Sequence, residues 1–496
     1  MMISMGRAVT MLAQARPDAP ALTDDAGVLT RSELDRRTNR LARAYQERGV
    51  RRGDFVTIAL PNGRGFLEAA IASWKLGAVP QPLSHRLPPA ERDEIIALAR
   101  PALVVGAQGS DRSSDRSCEG LPATYEPPPS LSDGALPDVI APHWRAPTSG
   151  GSTGRPKLIV SGAPGVVDLE APPPYNLRRD GVQVVAGPLF HTAFFTLALQ
   201  GLLAGNHVVV MSAFDARQTL SLVDRHGAYF LLLVPSMMHA IWRVTSPARV
   251  ASQLASLQTL WHMSAPCPTW LKATWIDWLG AHRVFESYSG SERQAATRIT
   301  GEEWLLHPGS VGRVVLGEMR VLDEDGAECP RGRVGEIFMR RPVGSPPTYH
   351  YVGAAPRARG DWESLGDMGH MDPEGYVYLA DRRADVIEIR GTKVFPAHIE
   401  GCLEEHPAIR SCAAISLPRP DGPGSDEQVH AIVQLDGEVT DAELTAFLAR
   451  RLAPHELPAS YERVTEALRD EAGKSRRSAL RASRLAARNQ PRSGAR

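Results

Sequence analysis

Short apolar runs separated by amphipathic stretches of helical length dominate the first half of the chain. Residues 54–60 (DFVTIAL) form a β-rich run that stops at Pro61-Asn62-Gly63, and residues 66–76 follow with apolar positions at helical spacing. Thr30-Arg31-Ser32-Glu33-Leu34 reads as an N-cap with a carboxylate behind it, which predicts a helix start. Residues 103–106, 182–186, 207–211 and 229–234 read as buried strands, and residues 220–226 and 236–244 as helices. Strands separated by helix-length segments predict βαβ units and a largely parallel sheet. The first twenty residues predict an amphipathic helix ending near Pro17, without the continuous apolar core of a signal peptide.

The pattern changes twice. From 305 to 380, short strands alternate with Gly/Pro turns, which predicts a small β subdomain. After Arg382 the pattern is α+β, with strands at 386–389 and 413–417 and a helix at 397–405. Residues 107–142 are rich in Ser, Asp, Pro and Gly and read as surface connection. The basic tail from Arg481 is expected to fray. No repeat of fixed period is present.

At about 150 residues per domain, 496 residues correspond to about three folding units. Lys+Arg and Asp+Glu both total 56, so no global basic field is available for nucleic acid or a membrane surface. The five cysteines are scattered without a C-x-x-C pair, which argues against a disulfide framework or a cysteine-rich zinc site. The longest apolar piece, residues 193–205, is shorter than the roughly 20 residues a bilayer requires. A cytoplasmic enzyme is the expectation.

Four stretches carry chemistry. In TSGGSTGRPK, Thr148, Ser149, Gly150, Gly151, Ser152, Thr153, Gly154 and Lys157 combine turning backbone, hydroxyl donors and a cation, which suits a phosphate-cradling loop. The Walker A spacing does not fit. Gly150-x-Ser152-x-Gly154 matches a hydrolase nucleophile elbow, but an elbow needs a helix after it, and residues 158–160 are strand-like; a flexible linker is the third reading. In YSGSE, a small-residue turn ends in Glu292, a ligand for Mg²⁺ or an ordinary solvated carboxylate. Asp367 in a Gly-flanked turn suits a ribose diol, with Arg382 able to pair with phosphate or ribose, although a plain hairpin also accounts for the segment. Gly473-Lys474-Ser475-Arg476-Arg477 is a basic cluster that on its own reads as a solvated tail.

In this order and spacing, the four stretches resemble the adenylate-forming superfamily: acyl- and aryl-CoA ligases, luciferases and peptide-synthetase adenylation domains. The resemblance runs from about residue 8 to 481. Residues 265–272, 275–280 and 301–304 look like the actinobacterial fatty-acid and bile-acid CoA ligase group. The implied fold is α/β: a large adenylation domain, 1–382, of two βαβ-type subdomains plus a small β subdomain, then a mobile α+β lid, 383–496. The implied reaction is AMP-forming acid–CoA ligation with ATP, Mg²⁺ and CoA. A homodimer is a family-level expectation, with no nucleic acid or membrane span. By resemblance, the 148–157 loop handles the β/γ-phosphates, Tyr288 and Ser291 flank the adenine, and Glu292 holds Mg²⁺. Asp367 and Arg382 meet the ribose, and Lys474 bridges the α-phosphate and acyl oxygen. His191 stands between acid pocket and thiol tunnel. Phe194, Phe195, Met263, Ser264, Ser289 and Gly290 are expected to line the acid pocket. Ala384 would be the hinge, and rotation would exchange Lys474 for Arg390, Gly391 and Lys393. That basic acceptor side also admits a different acceptor, such as nitrite in the diazotisation of an aryl amine.

Overall fold

The computed structural model describes residues 2–107, 119–150, 156–419 and 427–489. Gly151, Ser152, Thr153 and Gly154 of the predicted phosphate loop lie outside the described residues.

Local signals set the first elements. The Ser4 hydroxyl accepts from the Arg7 N–H at 3.0 Å and opens the helix Met5–Ala15. Thr30 and Glu33 form a reciprocal capping box that opens Arg31–Glu47. That helix packs Leu34, Leu41 and Tyr45 into the core beside the buried helix Arg64–Lys75. Lys75 is buried there but paired, 2.6 Å from both Asp35 Oδ1 and Asn39 Oδ1.

Two parallel sheets follow. The smaller has the order Val79–Pro82, Phe55–Ile58, Leu103–Val105, Glu119–Leu121. Its last strand falls inside the stretch expected to be plain surface connection. The larger contains Pro20–Asp24, His207–Val210, Val182–Val185, Phe230–Leu233, Thr259–His262 and Val284–Glu286, all parallel neighbours. Helices cover these strands, so they read as continuous apolar runs.

The predicted small β subdomain is not a separate sheet. Ala296–Thr300 pairs antiparallel with Val284–Glu286, and Ser310–Leu316, Tyr376–Arg382, Trp362–Met371, Gly335–Arg340 and Glu318–Leu322 continue from it. The result is one sheet of 14 strands.

Beyond Arg382, the strands Ile409–Pro418, Glu427–Leu435 and Ser460–Arg463 carry the helices Pro396–Glu404 and Asp441–Leu448 over their own core of Ile399, Leu403, Val433, Leu444 and Leu448. The tail does not fray at Arg481. Arg477–Asn489 is a helix whose Leu480 and Leu485 pack against Ile415, Leu417 and Ile432, while Arg481 and Arg484 pair with Glu427 and Glu462 at 2.7 Å. Among the described residues no helix is long and apolar enough to cross a membrane.

Candidate active site

The predicted phosphate loop joins the strands Thr148–Gly150 and Pro156–Ser161, which pair antiparallel. A strand follows the loop rather than a helix, so the context that a nucleophile elbow needs is missing. The Thr148 hydroxyl accepts from Gln81 Nε2 at 2.8 Å, and the fully buried Gln81 accepts from Thr57 at 2.5 Å. The loop therefore starts from a fixed point. At its other end, Lys157 Nζ lies 3.9 Å from Glu292 Oε1 and 3.8 Å from the centre of the Tyr351 ring. Burial holds its ammonium below the ordinary lysine range, while Glu292 opposes that shift.

Glu292 is 5% exposed and accepts from the Tyr351 hydroxyl at 2.6 Å. Its turn is pinned by Ser287 Oγ donating to Thr297 O at 2.7 Å. A Cβ on Gly290 would fall 2.5 Å from both Glu292 Oε2 and the Leu365 side chain, so a larger residue there would displace the carboxylate. Among the described residues no group of three or more His, Cys, Asp or Glu side chains converges as a metal cage. A single buried carboxylate beside a phosphate loop fits Mg²⁺, which binds through one or two carboxylates plus substrate phosphates.

Asp367 and Arg382 face each other across paired strands. Arg382 Nε forms an ion pair with Asp367 Oδ1 at 2.9 Å, and Tyr288 Oη donates to Oδ2 at 2.6 Å. Burial, reinforced by Asp367, pushes the Tyr288 phenol far up, so it stays a donor.

Lys474 reaches this cluster from the C-terminal part of the chain. Asp470 ties its turn through Lys474 N–H to Oδ1 at 2.9 Å and Asp470 N–H to Lys474 O at 2.9 Å. Gly473 has φ +77°, and a Cβ there would lie 2.4 Å from Ser236 Oγ on the large domain. Desolvation and then Arg382 lower the Lys474 ammonium, while Asp470, Asp367 and Glu292 raise it. Asp367, Arg382 and Glu292 are thus all near enough to act on the Lys474 charge.

His191 N-caps the helix Thr192–Leu203, and its buried Nδ1 has no hydrogen-bond partner among the described residues. Burial, Lys474 and Arg145 push its pKa down to about 3, so the imidazole is neutral across the physiological range. Ser291 Oγ donates to Thr192 Oγ1 at 2.9 Å, which ties the YSGSE turn to the residue after His191.

Phe194 and Phe195 are buried in the main core, the Phe194 ring 6.0 Å from that of His191. The Phe194 ring lies over Gly187, where a Cβ would meet it at 2.2 Å, and Phe195 stacks on Trp144 at 6.3 Å. Ser289 Oγ donates to Ala295 O at 2.8 Å, so the hydroxyl closes its own hairpin. Met263 and Ser264 lie at the C-terminal end of Thr259–His262, with Ser264 exposed at φ +81°. Arg390 and Gly391 form the tip of the hairpin Ile387–Ile389/Thr392–Val394, and Lys393 pairs with Glu324 at 3.0 Å.

Sequence reasoning missed three groups. Arg145 is 4% exposed; it donates to Thr196 Oγ1 at 2.7 Å and lies 4.3 Å over the Trp144 ring. Burial and Arg293 push its pKa down to about 9. Tyr351 touches both charges of the phosphate site. Arg477 donates to Asp381 (2.7 Å), Asp385 (2.9 Å) and, bidentately, Glu400 (2.8 Å each). Arg145 and Tyr351 carry no local motif; Arg477 lies in the basic cluster 473–477, but its partners are distant in sequence and do not show there.

A family model described as AMP-binding enzyme matches residues 10–349. A feruloyl-CoA synthase from Amycolatopsis sp is 31% identical over 470 residues, covering 91% of this chain and 93% of that protein. A fatty acid–[acyl-carrier-protein] ligase, ScoC, from Streptomyces coeruleorubidus is 27% identical over 95% and 94% of the two chains. The o-succinylbenzoate CoA synthetase of Bacillus subtilis, solved with its acyl-adenylate, superposes with a TM-score of 0.80 at 21% identity over 97% and 98% of the chains.

Proposed function

This chain belongs to the AMP-binding enzyme family, and on that premise we propose that it is a cytoplasmic, AMP-forming acid–CoA ligase. The observation that carries the reading is that the charges of Asp367, Arg382 and Glu292 all act on Lys474, which lies beyond the short turn Arg383–Asp385. Residues 1–382 are then the adenylation domain and 383–496 the lid.

In the first half-reaction a carboxylate oxygen of the acid bonds to the α-phosphorus of ATP, and pyrophosphate leaves. Lys157 and the 148–157 loop bind the β/γ-phosphates. Asp367, oriented by Tyr288 and Arg382, accepts the ribose hydroxyl hydrogens. Lys474 meets the negative charge that builds on the α-phosphate and acyl oxygen, a site where a preoriented cation has its largest effect. Mg²⁺ bound at Glu292 supplies further neutralisation of the phosphates. His191, neutral at working pH, presents no charge to the adenylate. In the second half-reaction the CoA sulfur bonds to the acyl carbon and AMP leaves, with Arg390, Gly391 and Lys393 brought to the site by lid rotation about Ala384.

A non-CoA acceptor is the second reading, favoured by the cationic hairpin tip of Arg390 and Lys393. One experiment separates the two. ATP turnover is followed with aryl, fatty and steroid acids, with CoA, with nitrite plus an aryl amine, and with neither, reading AMP and product mass. A CoA-dependent thioester supports the ligase; AMP release that ignores CoA replaces the acceptor but keeps the ATP site. Lys474→Ala should abolish adenylation while the fold survives, and undiminished adenylation would remove that lysine from the reaction. The expected homodimer is checked by light scattering.

A further inference from the structure

We propose that Tyr351 is a positioning residue of the adenylation step, whose phenol holds Lys157 and Glu292 apart and aimed so that triphosphate and cation can enter between them. The proposal rests on the reading of Lys157 as a phosphate ligand and Glu292 as a cation ligand.

An ammonium and a carboxylate in a poorly hydrated site close to about 2.7–2.9 Å when nothing intervenes. Closed in that way, the pair consumes the N–H groups and lone pairs that ATP and Mg²⁺ need. Lys157 Nζ and Glu292 Oε1 instead stand 3.9 Å apart. Tyr351 occupies both charges with different parts of one side chain. Its ring face receives Nζ at 3.8 Å, and its hydroxyl donates to Oε1 at 2.6 Å.

The tyrosine is itself fixed. Tyr349–Val352 pairs antiparallel with Pro156–Ser161, the strand that leaves the phosphate loop, with Tyr351 opposite Ile159. Strand alternation puts Tyr349 on the same face, its ring edge-on to Tyr351 with centroids 4.7 Å apart. The Tyr349 hydroxyl donates to Glu363 Oε2 at 2.5 Å, and Gln294 Nε2 donates to the same oxygen at 2.7 Å. Rotation of Tyr351 away from Glu292 is therefore resisted by a second layer of hydrogen bonds.

The test is calorimetric titration of a non-hydrolysable ATP analogue into the full chain, with Mg²⁺ and with chelator, alongside initial rates. Tyr351→Phe keeps the ring and removes the hydroxyl. It should leave the Mg²⁺-free affinity in place and cut the gain in affinity on adding Mg²⁺ about tenfold, as expected for loss of one hydrogen bond to a charged group. The apparent KM for Mg²⁺ should rise by a similar factor, with little change in the KM for the acid. Tyr351→Leu removes ring and hydroxyl together, and should also weaken Mg²⁺-free binding as Lys157 closes on Glu292. Glu292→Gln is the control for the underlying reading. If it loses the Mg²⁺ effect while Tyr351→Phe keeps it in full, the role of Tyr351 is overturned. If Glu292→Gln also keeps the Mg²⁺ effect, the cation reading of Glu292 fails, and this proposal falls with it.

Discussion

Arg477 and Asp381 are 96 residues apart in sequence and 2.7 Å apart in space, on either side of the short helical turn Arg383–Asp385. Asp381 also accepts from the Ala397 N–H at 2.7 Å, so two bonds cross the turn to one buried carboxylate. Arg477 completes the arrangement by gripping Glu400 and Asp385. These bonds tie the segment that carries Lys474 to the strand that carries Arg382.

Weakening that latch should separate the two half-reactions. Asp381→Asn removes the charge and keeps the shape, and the loss of one charge-assisted bond is worth about 1.5–3 kcal/mol. Pyrophosphate exchange should fall about tenfold or more, while thioester formation from supplied acyl-adenylate changes less. Equal loss in both assays would show that Asp381 supports the fold rather than the domain arrangement.

Gly473 should be intolerant for a reason specific to docking. Gly473→Ala places a Cβ at φ +77° and 2.4 Å from Ser236 Oγ. Adenylation should drop at least tenfold, with a strain cost of about 1–2 kcal/mol from the backbone alone. Ser236→Ala in the same chain removes the oxygen and should restore part of the rate. No recovery would mean that the backbone strain, not the contact, is responsible.

Three histidines predict an acid-sensitive fold. His191 is held at about 3, and His207 and His262 at about 4, chiefly by burial, against an ordinary value of 6.5. Between those values the unfolded chain binds more protons than the folded one, so stability rises with pH. It is lost as pH falls from 6.5 toward 4, by at most about 1.4 kcal/mol per unit for each histidine. Urea midpoints at pH 7 and pH 5 check this; equal midpoints would contradict the buried neutral state.

Arg145 should be visible through its neighbour. Arg145→Met removes a cation that disfavours the charged form of His191, so the His191 titration should move upward, although burial still keeps it below 6.5. NMR titration of the ring signals reads this directly. An unmoved His191 would place Arg145 too far away to matter to the site.

The parts of this molecule that were legible in the sequence depend on neighbours in the chain. The Thr30–Glu33 capping box, the run 54–60 and the YSGSE turn each carry their own chemistry within a few residues. Tyr351, Arg145 and the Asp381–Arg477 bond depend on pairings between distant segments, and no local pattern marks them. Phe194 and Phe195 are buried, Phe194 over Gly187, and an aromatic next to His191 suits the wall of a cleft and a core equally well. The tail was misread because its arginines suggest solvation, whereas Glu427 and Glu462 on other elements turn them inward.

The continuous 14-strand sheet constrains where this protein deforms. The turn carrying Tyr288 and Glu292 is the seam at which parallel pairing gives way to antiparallel, so opening it would break hydrogen bonds on both sides at once. This end of the sheet is thereby a stiff anvil, and amide hydrogen exchange should find slow protons beside the seam.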